Sequence, residues 1–122
     1  MLITEIKKEQ QEWSQTIDYI TKECIQMKNR LSDFLEIFHA SFIIEWAEDF
    51  QSRIIMKEQV LFLIRNDLKT QQSLIENNYS KENHDTLEEQ HDNIRNKIDF
   101  LEKSCLEMKQ SFNDFLSIHM LL

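Results

Sequence analysis

The sequence predicts an all-α fold: an up-down-up bundle of three long helices, about 3–40, 42–78 and 86–120, forming a single domain over 1–122. Three observations predict it. The 122 residues include no glycine and no proline, the residues that tight hairpins and loops need. An apolar stripe recurs with a period of 3.5 residues, the a/d pattern of packed helices. The stretch 17–37 also recurs 81 residues later, at 98–118, with ten of twenty-one positions identical.

The first helix carries the most regular seam. Its core-facing positions are Ile6, Gln10, Trp13, Ile17, Ile20, Cys24, Met27, Leu31, Phe34 and Phe38, with Gln10 the only polar member. Thr4 is placed to cap its N-terminus. The second helix is less regular. Ile43, Ala47, Phe50, Ile54, Leu61, Ile64, Leu68 and Ile75 follow the seam, with Lys57 and Gln71 as lapses. Ser41 is placed to cap it, and Asn77 or Asn78 substitutes for the missing C-terminal glycine. The third helix repeats the first: Leu87, His91, Ile94, Ile98, Leu101, Cys105, Met108, Phe112, Phe115 and His119. Thr86 with Glu89 three residues on forms a capping box, which sets its start near 87.

The repeat reads as an internal duplication relating the first and third helices. Heptads dictate apolar a/d residues, but not the matched Cys24/Cys105, Met27/Met108 and Asp33/Asp114. Up-down-up topology makes these two helices parallel, so matched residues share a core layer. Cys24 and Cys105 become neighbours. A bridge between them is geometrically demanding, and they are expected as two reduced, buried cysteines behaving as small hydrophobes. Gln10 and His91 also match, and Gln71 falls near their level on the antiparallel helix. These three are expected to form a core polar layer that fixes register.

Composition excludes several function classes. Without glycine, phosphate-cradling loops, dinucleotide fingerprints and nucleophile elbows cannot exist in their usual form. Fourteen basic against twenty-two acidic residues give a net charge of −8, which argues against nucleic acid or an anionic membrane as partner. The acids are spread as seven, six and seven over the three helices, as solvated faces require. The longest apolar run is Val60–Ile64, too short to span a bilayer. No signal-peptide pattern opens the chain, so a cytoplasmic location is expected. Neither a cofactor nor a catalytic residue is expected.

One metal pattern merits a test. Glu36-x-x-His39 and Glu88-x-x-His91 match the motif of carboxylate-bridged di-iron bundles. The topology sets Glu36 and His39 at the opposite end of the rod from Glu88 and His91, so only an antiparallel dimer joins them.

Apolar residues off the seam carry the functional reading. Ile55, Met56, Val60, Phe62 and Leu63 make the second helix apolar nearly all round, which implies burial on more than one side. Tyr19, Ile25, Phe100 and Leu106 lie at about the same height on the other helices. Together they form an apolar girdle at mid-rod, expected to serve as an interface. A second excess, Phe38, Phe42, Ile43, Ile44, Trp46, Leu121 and Leu122, gathers at one tip, where it either covers itself or forms a further interface.

The arrangement of Trp13, Arg30-Leu31 and Phe50-Gln51 on such helices resembles an uncharacterised family of small all-helical bacterial proteins, over mainly the first two helices. That resemblance implies a fold and no activity. In outline the fold is also similar to a spectrin-type triple-helical repeat. The function expected is a non-enzymatic structural or protein-interaction module that forms a homodimer, or binds an unidentified protein, through the girdle. The alternatives are a metal-binding bundle and a regulatory binder of a partner helix.

Overall fold

The computed structural model describes residues 1–77 and 79–120, Met120 by its backbone alone. Three α-helices follow one another: α1 (Ile3–Ile37), α2 (Ser41–Asn77) and α3 (His84–Met120). Their 35, 37 and 37 residues make rods of about 55 Å at ~1.5 Å rise per residue. Each helix packs on both others. No described residue is in a strand.

The heptad seam becomes the core. Ile6, Trp13, Ile17, Ile20, Cys24, Met27, Leu31 and Phe34 of α1 are buried, as are Ile43, Ala47, Phe50, Ile54, Leu61, Ile64 and Leu68 of α2. On α3 the seam holds from Leu87 to Phe112, then shifts. Leu116 is buried, whereas Phe115 and His119 are only partly so. A helix drifts about 20° per heptad against a 3.5 repeat, and Trp46 lies flat on Phe115, with centroids 3.5 Å apart and planes 9° apart.

One rule sets the layers. The amide of Gln10 bonds Gln71, which bonds His91. Each seam residue of α1 is therefore level with the α2 residue whose number completes 81, and with the α3 residue 81 further on. The rule places Leu31, Phe50 and Phe112 in one layer, and the latter two rings lie 5.0 Å apart.

The helix starts differ from the sequence expectation. Thr4 lies inside α1. Leu2 is the cap residue, and its N–H donates to the Glu5 carboxylate at 3.0 Å. Ser41 is the first residue of α2, whose leading bonds run from Ile43 and Ile44 N–H to the Ala40 carbonyl. Thr86 lies inside α3, because Leu87 N–H already bonds the Asn83 carbonyl at 2.9 Å. Asn83 N–H in turn reaches Ser80. α1 stops at Ile37 rather than near 40, where Phe38 is extended at φ −112°. No described residue has positive φ, so Asn77 does not act as a left-handed glycine substitute. Asn78 lies outside the described residues.

The tip joining α1 to α2 is partly covered by its own rings. Phe34 stacks on Phe38 at 4.5 Å and meets Trp46 and Phe115 edge-on, each at 6.2 Å. Ile43 is buried, while Phe42 and Ile44 stay exposed. Leu121 and Leu122 lie outside the described residues.

Candidate functional site

Three features stand out from the regular apolar core: a polar layer near one end, a thiol layer at mid-rod, and exposed apolar residues around the thiol layer.

The polar layer is a directed hydrogen-bond chain. Gln10 Nε2 donates to Gln71 Oε1 at 2.8 Å. Gln71 Nε2 must then donate to His91 Nδ1, at 2.9 Å. His91 therefore carries its proton on Nε2 and donates it to Glu9 Oε1 at 3.3 Å. The Arg95 guanidinium ends the chain, with Nη2 2.8 Å from the same Glu9 oxygen. Gln10, Gln71 and His91 are all buried. No buried side-chain polar atom among the described residues lacks a partner, so the layer meets the condition under which buried polar groups are tolerated. The arrangement holds His91 neutral. Burial pushes its pKa below the usual imidazole value, and Glu9 only partly opposes that. The hydrogen bond from Arg95 holds Glu9 below the usual carboxylate range. Trp13 covers the imidazole, with ring centroids 4.4 Å apart.

The thiol layer holds Cys24 and Cys105, both free and buried. The layer rule adds Lys57 from α2, one of the two seam lapses of that helix. Lys57 is half-buried, and its charge favours the Cys105 thiolate. The neighbouring Cys105, then burial, pushes the Cys24 thiol up. The neighbouring Cys24 holds Cys105 down, against burial.

The girdle residues are mostly exposed. Tyr19 is 59% exposed, Phe62 63% and Phe100 70%, with Ile25, Ile55, Met56, Leu63 and Leu106 also open to solvent. Val60 differs: it is partly buried and packs on the core, because it lies one helical turn from the seam positions Lys57 and Ile64. The ring is also divided. Tyr19 and Leu106 line a groove of about 590 Å³ that also involves Ile20, Cys105 and Lys109. Ile55, Phe62 and Leu63 line a separate depression of about 480 Å³ on α2.

The four metal candidates do not meet within one chain. Glu36 lies in the last turn of α1 and His39 in the connector, both exposed. Glu88 and His91 lie at the far end and have partners already. Glu88 takes the Met1 amino group and His84, and both nitrogens of His91 are engaged. No cluster of three or more His, Cys, Asp or Glu suited to a metal occurs among the described residues.

Fold and site together define an all-α, up-down-up bundle with one polar layer and one thiol layer in its core. No family model, curated protein or solved structure matches the chain. No described helix is long and apolar enough to cross a membrane.

Proposed function

We propose that the protein is a structural or protein-interaction module that self-associates at mid-rod, with the exposed face of α2 at the centre of the contact. One observation carries this reading. Within a single stretch of α2, Ile55, Met56, Phe62 and Leu63 are all exposed, although the core at that height is already closed by Ile54, Leu61 and Ile64. Scattered apolar surface residues are ordinary, but four large ones within nine positions of one helix make a patch, and patches of this kind mark contacts. A second copy is the simplest occupant. Ile55 and Phe62 lie one heptad apart, so two antiparallel α2 helices can interlock them about a two-fold axis, in a self-complementary contact.

A second reading is favoured by the groove between α1 and α3. Its apolar walls, Tyr19, Ile20 and Leu106, suit the apolar face of a partner helix. Paired variants separate the two. Ile55→Glu with Phe62→Glu should convert a dimer to a monomer, while Tyr19→Glu with Leu106→Glu should leave it intact. The opposite result would move the contact to the α1–α3 groove.

A further inference from the structure

We propose that Cys24 and Cys105 form an oxidation site: a dithiol that a hydroperoxide converts to a disulfide joining α1 to α3 at mid-rod.

Placement is the first support. The two cysteines occupy matched seam positions on parallel helices, both buried in the core, and the layer rule sets them in one layer. Seam side chains of neighbouring helices converge, as a bridge requires; the Cα atoms must also come within about 7 Å.

Access is the second support. Cys105 lines the groove between Tyr19 and Leu106 and keeps 5% of its surface exposed, while Cys24 has none. A small oxidant therefore meets Cys105 first, and Cys24 is placed behind it as the resolving thiol.

The third support is the other member of the layer. A lysine at a seam position costs apolar burial, and Lys57 puts a cation where leucine or isoleucine would pack. Its charge faces Cys105 from α2. The remaining charges around the pair come from all three helices. Lys109 of α3 favours the Cys105 thiolate, and Glu23 of α1 opposes it while ion-pairing with Lys109 at 2.8 Å. Around Cys24, Glu58 of α2 opposes the thiolate and Lys28 of α1 favours it, and those two also pair with each other.

The chemistry balances. The Cys105 thiolate attacks the outer oxygen of the hydroperoxide. An S–O bond forms and the O–O bond breaks. The alkoxide or hydroxide leaves with a proton, and Cys105 becomes a sulfenic acid. Cys24 then attacks that sulfur as its thiolate, its proton passing to the departing hydroxide. The S–S bond forms, the S–O bond breaks and water leaves with the thiol proton. Two thiols and one hydroperoxide give one disulfide, one alcohol (or water) and one water. Both electrons come from the sulfurs.

The test uses the full chain and hydrogen peroxide at a slight excess. The expected product is a single chain, not covalently linked to another, two hydrogens lighter, with Cys24 and Cys105 peptides linked until a reductant is added. Cys24→Ser should stop at a sulfenic acid on Cys105 that dimedone traps. Cys105→Ser should leave Cys24 unoxidised over the same time. Lys57→Met should slow oxidation several-fold at neutral pH and move the pH–rate profile upward. Circular dichroism melting should show this variant as stable as the parent or more so, because methionine suits the seam. The proposal is overturned by bridges only between chains, by sulfenic acid persisting on the parent chain, by faster trapping at Cys24, or by a Lys57→Met rate equal to the parent's.

Discussion

Gln71 is the residue on which the polar layer depends, since it accepts from Gln10 and donates to His91. Gln71→Leu should destabilise the chain by about 1–3 kcal/mol in urea unfolding, because it leaves two buried polar groups without partners. Replacing Gln10, Gln71 and His91 together with leucine should instead be neutral or stabilising by about 1–4 kcal/mol. His91 and Glu9 contribute to the acid response. Both folded-state pKa values lie below their ordinary values of 6.5 and 4.5. In each window the unfolded chain binds more protons than the folded one, so stability rises with pH. The contribution of His91 is full above 6.5 and falls as the pH drops below it. That of Glu9 begins to fall below 4.5. Thermal melting from pH 7.5 to pH 5 should show decline in the parent chain and a flatter profile in the triple-leucine variant. The layer was legible as lapses in a heptad pattern. Glu9 and Arg95 were not, because they lie off the seam and join the layer only through charge. Lys57 was visible as a lapse, but its thiol neighbours emerge only once the antiparallel register is known.

At the scale of the element, the helices were legible because apolar spacing decides which face is buried, and 122 residues without glycine or proline offer few places to stop. The ends were less legible. Thr86 and Glu89 form a good capping motif, yet α3 starts earlier because the chain can already close a helical bond on the Asn83 carbonyl. The shift from Phe115 to Leu116 follows from Trp46 stacking on Phe115, a contact between helices that no single-helix pattern encodes. The absence of glycine and proline has an element-level consequence. Gln59 is exposed in the middle of α2. Gln59→Gly should cost about 1 kcal/mol relative to Gln59→Ala, and Gln59→Pro about 3 kcal/mol or more, with a kink. Far-ultraviolet circular dichroism during urea unfolding measures both. An effect on stability near zero for Gln59→Gly would mean that α2 is not a continuous helix in solution.

For the molecule as a whole, two terms oppose each other in self-association. The exposed apolar residues of α2 favour it, and a charge of −8 on each chain resists it. Added salt screens the repulsion and leaves apolar burial intact, so the dimer should tighten as ionic strength rises. A contact held by ion pairs would weaken instead. The thiol pair lies inside one chain, so oxidation should crosslink α1 to α3 without changing the oligomer. Sedimentation equilibrium of the reduced chain at micromolar concentration tests the central claim most directly. The account predicts a species of twice the 14.8 kDa chain mass, which Ile55→Glu with Phe62→Glu reduces to a single chain of unchanged helicity. A parent chain that sediments as a clean monomer at low and high salt would contradict it.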